Sequence, residues 1–167
     1  MNLLDRITTN LILLLRRPPE QQYAALCYRQ DTLSGVQVLL LTSRETRRWV
    51  IPKGWPMKKK KPHAVAEREA YEEAGVRGKA EKEPLGFFTY LKRLKSGLTV
   101  PVRVQVHALA VDSMLEDFPE KGSRQLEWVP CEEAAKRVRE TELRDLILAF
   151  SHRFPIAVET KMRAVGR

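Results

Sequence analysis

The sequence predicts an α+β protein, a mixed β-sheet with helices packed on it, in a single domain. Three observations carry this. Apolar or alternating runs of strand character lie on both sides of one polar helix. That helix is bracketed by Pro62 and Gly75, residues favoured at helix starts and ends. Two further helical stretches close the chain after Pro130. At 167 residues the chain has the length of one domain and can bury a core.

Taken in order, residues 1–19 form an extension in which Leu3, Leu4, Ile7, Leu11 and Leu14 approximate a helical stripe. A helix packed on the domain is expected there, with contact to a membrane surface as the alternative. The apolar run Leu11–Leu15 ends at Arg16-Arg17-Pro18-Pro19, well short of the roughly 20 residues needed to span a bilayer. No secretory signal is recognisable. The domain proper is expected over residues 20–155. Gln22–Arg29 reads as a strand, Gln30–Gly35 as a turn-rich connector, and Val36–Arg44 as a strand buried on both faces. Trp49–Ile51 is a short strand stopped by Pro52, and Lys53–Pro56 a loop. The basic run Lys58–Lys61 leads into the helix, whose packing side is expected at Ala64, Val65, Ala70 and Ala74. Leu85–Tyr90 reads as a strand and Lys92–Gly97 as a basic hairpin loop. Val100–Val111 alternates, with Val100, Val102, Val104 and Val106 on one side and Arg103, Gln105 and His107 on the other. Asp112–Arg124 is an irregular loop before a strand at Gln125–Val129 and helices near Cys131–Arg139 and Thr141–Arg153. Residues 156–167 read as a tail. No repeat, heptad or low-complexity tract interrupts this order.

Thirty basic against twenty-one acidic residues give a formal charge of +9 and a pI near 9.8. Such a balance favours an anionic partner: nucleic acid, an anionic membrane surface or a small polyphosphate. Clustered aromatics for stacking bases are absent, since Phe87-Phe88 and Tyr90 read as core, although Trp55 is a loop candidate for stacking an adenine. The two cysteines, Cys27 and Cys131, lack metal-ligand spacing, so a reducing cytoplasm is expected. His63, His107 and His152 also lack ligand spacing, and no phosphate-binding P-loop or dinucleotide glycine fingerprint occurs.

An acidic cluster stands out against this basic chain. Glu69, Glu72 and Glu73 sit at i, i+3 and i+4, so Glu69 lies beside the other two on a helix. Like charges so placed repel, and a cation relieves them. Oxygen ligands without Cys or His favour Mg²⁺ or Mn²⁺. The alternative is a solvated acidic face.

The frame around the cluster favours the metal. Gly54, Arg68, Glu69, Glu72, Glu73, Gly75 and Val76 fall in register on the pattern G-x5-E-x7-R-E-U-x-E-E-x-G-U, where U is bulky and aliphatic. The stretch therefore resembles the Nudix box. Two positions depart: the early Glu is Lys60 and the U before the Glu pair is the small Ala70. The resemblance implies an α/β/α sandwich and hydrolysis of a diphosphate linkage. It implies metal ligation by Glu69, Glu72, Glu73 and the Gly54 carbonyl, and an Arg68 that orients a glutamate. The general base is taken as Glu69, with the loop acids Glu116, Asp117 and Glu120 as alternatives.

Ser43-Arg44, the Arg47-Arg48-Trp49 lead into Ile51-Pro52-Lys53-Gly54, and Gly122-Ser123-Arg124 ahead of Glu127-Trp128 resemble the diphosphoinositol-polyphosphate and diadenosine-polyphosphate branch. Such substrates need several cations, and Arg44, Arg47, Lys53, Arg103, Lys121 and Arg124 are the candidates, with the Lys58–Lys61 run beside them. The competing class is a non-catalytic module of the same fold that binds a phosphorylated ligand or RNA. A capped-RNA hydrolase is a third reading that no motif supports.

Overall fold

The structure, a computed structural model, describes residues 18–154. The leucine stripe and the C-terminal tail lie outside the described residues. The elements run β1 (Glu20–Asp31), β2 (Gly35–Thr42), β3 (Trp49–Val50), β4 (Lys53–Gly54), α1 (Pro62–Ala74), β5 (Val76–Ala80), β6 (Gly86–Arg93), β7 (Thr99–Met114), β8 (Leu126–Pro130), α2 (Cys131–Arg137) and α3 (Thr141–Ser151).

All eight strands join one mixed sheet. The parallel pair β1–β7 is its spine, in register from Glu20↔Val102 to Tyr28↔Ala110. The free edge of β7 takes β6 along its first half and β5 along its second, both antiparallel. On the other edge of β1, β2 pairs only at the far end, Tyr28↔Val38 to Asp31↔Gly35. Nearer the start of β1, β4 takes the place of β2, with Tyr23↔Gly54 and Ala24↔Lys53. Between them the Ala25 N–H donates to the Pro52 carbonyl at 3.0 Å. Strands β1 and β2 therefore splay, and the segment from Trp49 to Gly54 fills the gap.

Alternation along β1 and β2 sends neighbouring residues to opposite faces, as the pleat requires. Ala24, Leu26, Val38 and Leu40 join Val102, Val104 and Val106 under α2 and α3, with Leu143, Ile147 and Phe150 above them. Ala25, Cys27, Leu39 and Leu41 pack instead against Ala66, Ala70 and Ala74 of α1. Helices thus cover both faces, and the expected α/β/α sandwich is what forms. The small residues of α1 let the helix axis approach the sheet closely. Among the described residues no helix is long and apolar enough to cross a membrane.

Helix α1 begins at Pro62, whose missing N–H would have no partner there in any case. It ends at Gly75 in the left-handed region (φ 67°), with its N–H donated back to Tyr71 O at 2.9 Å. The loop after β7 is tied to this end. Leu115 N–H donates to Gly75 O at 2.8 Å and Glu120 N–H to Glu72 O at 3.0 Å, while the Phe118 ring closes on Gly75.

Several expectations need correction. Lys53–Gly54 is a strand rather than a loop, because the splay of β1 and β2 offers it a partner. Val76–Ala80 also forms a strand, with Val76 and Ala80 buried and Arg77 and Lys79 exposed, held by its ladder to β7. On α1 the packing position is Ala66, while Ala64 is only partly buried. His107, expected on a polar side, is fully buried because the start of α1 covers it, with the His63 ring 6.3 Å away. Its Nδ1–H donates to Glu81 O at 2.8 Å, so its Nε2 accepts from the Gln105 amide at 2.9 Å. The ring is therefore neutral, and burial pushes its pKa down.

Candidate active site

Where β1 and β2 splay, a cleft of about 570 Å³ opens. Its walls come from β4 and the residues after it, α1, the loop after β2, the end of β6 and the loop before β8.

One wall is acidic. Glu69 and Glu73, one turn apart on α1, both face the cleft. The Glu69 carboxyl lies against Gly54 so closely that a Cβ at residue 54 would overlap it. A side chain at residue 54 would push the Glu69 carboxyl out of the place it holds. Burial, and then the negative charges of Glu73, Glu72 and Glu120, push the Glu69 pKa up to about 7. Glu73 is buried, which raises its pKa, while Arg124 and Lys53 oppose the rise. Its Oε1 accepts from the Arg124 guanidinium at 2.7 Å and its Oε2 from the Lys53 backbone N–H at 3.3 Å. Arg124 also donates to Thr42 O at 3.2 Å, and its Nε is buried without a partner.

Among the described residues, no three His, Cys, Asp or Glu side chains converge as a ready metal cage. Glu72 turns away to Arg68, 2.5 Å off, and Glu73 is engaged by Arg124. The donor chemistry still fits a hard divalent cation. Mg²⁺ keeps several waters and needs only one or two carboxylates, and the crowded field at Glu69 is what such an ion relieves.

The other wall is basic. Arg44, Arg48, Lys53, Lys92, Arg93, Arg124 and Arg139 all line the cleft. Arg44 pairs with Glu120 at 3.3 Å. Lys53 Nζ and Arg48 Cζ stand 5.3 and 5.6 Å from the centre of the same ring, Tyr90. Burial pushes the Lys53 pKa down to about 8, with Glu73 opposing. Burial likewise pushes Tyr90 up to about 12, and its hydroxyl donates to Gln22 Oε1 at 2.8 Å. Trp55, 39% exposed, sits at the mouth with Lys92 Nζ 4.7 Å from its ring.

The cleft thus gathers Gly54, Glu69, Glu73, Arg44, Lys53 and Arg124 from the sequence candidates. Three basic candidates lie outside its lining. Arg47 donates to Ser123 O at 3.2 Å, Arg103 is exposed and stacks over Phe87 at 3.9 Å, and Lys121 pairs with Asp117 at 3.2 Å. Arg68 and Glu72 stay on the outer side of α1, and the Lys58–Lys61 run is exposed outside the lining. Of the loop acids, Glu120 faces the cleft and Glu116 and Asp117 do not. Sequence reasoning missed Gln22, Arg139 and the partners of Arg48. Tyr90 alternates with the buried Phe88 and so reads as core, though its ring ends at the cleft.

Comparison with known proteins supplies the frame for this site. Residues 12–150 match the model of the NUDIX domain. The chain is 35% identical over 119 residues to the diphosphoinositol polyphosphate phosphohydrolase 3-beta of Homo sapiens, covering 70% of this chain and 68% of that one. The 3-alpha protein of Mus musculus matches at the same identity and coverage. Among solved structures, a C. elegans Ap4A hydrolase superimposes with a TM-score of 0.58 at 21% identity, over 81% of this chain and 98% of that one.

Proposed function

Because the chain belongs to the Nudix family of hydrolases, we propose that it cleaves a diphosphate linkage in a highly anionic compound, a diadenosine polyphosphate or a diphosphoinositol polyphosphate, using Mg²⁺ or Mn²⁺. One observation carries this reading: a single cleft sets Glu69 against Gly54 on one wall and seven basic side chains around it.

Glu69, Glu73 and the Gly54 carbonyl would hold the ion, with Glu120 nearby and Glu72 behind. The ion's contribution is to neutralise phosphoryl oxygens and lower the pKa of bound water. Glu69, which faces the cleft, is the base that takes the proton from the attacking water. Arg68 keeps the Glu72 side of the helix in place. Arg124 and the Lys53 backbone N–H fix Glu73, and Arg124 presents positive charge where the leaving oxygen gains negative charge. Arg44, Arg48 and Lys53 hold the phosphates that do not react. Residues 20–155 form the working unit in this reading, and its two buried free thiols suit a reducing cytoplasm.

Purified protein should be assayed with each ion against diadenosine tetra- to hexaphosphate, a diphosphoinositol polyphosphate, ADP-ribose, a nucleoside triphosphate and capped RNA. Selective cleavage of a polyphosphate is expected. Glu69→Gln should lower that turnover by about 10²–10⁴-fold with an unchanged circular-dichroism spectrum. A folded protein that binds these anions and cleaves none of them would overturn the hydrolytic reading.

A further inference from the structure

Arg48 is held in the cleft by a partner outside the acidic cluster. Glu140 ends the connector between α2 and α3 and occupies the N-cap position of α3. A side-chain oxygen at that position ordinarily accepts an N–H from the helix's first turn. Glu140 makes no such bond. Its side chain, 8% exposed, turns inward and forms an ion pair with the Arg48 guanidinium at 2.8 Å. Its second oxygen, Oε2, is buried without a partner. The charge of Glu140 also acts on Lys53, which shares the Tyr90 ring with Arg48. The connector's preceding residue, Arg139, lines the cleft itself.

We propose that Glu140 is a positioning residue that holds Arg48 beside Lys53 on the Tyr90 ring, so that the two cations grip a phosphate of the substrate beyond the one being cleaved. The inference rests on reading the cleft as a polyphosphate site. Two cations at one ring repel each other, and Arg48 sits on a long, flexible stem. A buried carboxylate at its back offsets the repulsion and removes the freedom to swing into solvent. Tyr90, anchored to Gln22, gives both cations a fixed platform. An anion with several acceptor oxygens, a phosphate group, is the ligand that satisfies both at once. The pair therefore selects for substrates with phosphates beyond the scissile linkage.

The test is a double-mutant cycle on the full chain, read by calorimetric binding of inorganic tripolyphosphate in metal-free buffer. Glu140→Ala and Arg48→Ala should each weaken binding by about tenfold. The double variant should be no weaker than Arg48→Ala alone. On any polyphosphate the protein cleaves, Glu140→Ala should raise KM by a similar factor and move kcat far less. Should Glu140→Ala fail to fold, Glu140→Met keeps the volume without an acceptor and carries the same expectation. Unchanged tripolyphosphate affinity in either folded Glu140 variant, or a double effect equal to the product of the singles, would overturn the proposal. Turnover absent with this binding pattern intact would sink the hydrolytic reading alone. Turnover present with the pattern missing would sink this inference alone.

Discussion

Gly75 does two jobs at a single position. Its φ of 67° closes α1, and the space where a side chain would stand is taken by the Phe118 ring and the Leu115 carbonyl. Gly75→Ala should therefore lower stability by about 1–3 kcal/mol, read as a shift in the urea midpoint. An unchanged midpoint would mean that the 115–124 loop yields freely. His107 makes a second residue-scale prediction. Its pKa in the fold lies below the usual 6.5, because burial disfavours the charged ring. On acidification through that value the unfolded chain takes up a proton before the folded one does. Stability should then fall as pH drops below about 6.5 and level off once the folded ring also titrates. Urea midpoints from about pH 7.5 to about pH 5 would check this, with His107→Gln expected to flatten the curve. A wild-type profile that the variant leaves unchanged would assign the acid sensitivity to other groups.

Elements were legible from the sequence in proportion to how much of their stability is local. The alternation of Val100 to Val106 and the Pro62–Gly75 bracket gave β7 and α1 directly, since pleat and caps leave their mark within a few residues. Strands β4 and β5 were not legible, because what makes them strands is a partner distant in sequence: Tyr23–Ala24 for β4 and the second half of β7 for β5. The site divides in the same way. Glu69 and Glu73 follow from spacing and Gly54 from the resemblance to the Nudix box, while charge does not say where the cleft opens, and Arg103 and Lys121 lie outside its lining. Glu140 carries no local signal at all. It is a charged residue before a helix, and only the packing of α3 against the sheet brings it to Arg48.

The whole molecule carries a formal +9, and seven of its basic side chains line one cleft that also holds Glu45, Glu69, Glu73 and Glu120. Long-range attraction of a polyanion is the natural consequence, and it is screened by salt. For any polyphosphate that the protein cleaves, kcat/KM should fall by about tenfold between low and high ionic strength, mostly through KM. A rate indifferent to salt would leave the excess charge without a part in substrate capture.

The two walls of the cleft have different genealogies in the chain. The acidic wall is nearly contiguous, running from Gly54 through the α1 glutamates on one strand–loop–helix unit, whose strand also lends Lys53 to the basic wall. The basic wall is assembled from separate segments around Arg44 and Arg48, Lys92 and Arg93, Arg124, and Arg139. A change in the segments around Arg48, Lys92 and Arg93, or Arg139 leaves the unit that bears the glutamates in place, whereas Arg124 is bonded to it through Glu73. Which anion is gripped can thereby change while the glutamates stay where they are.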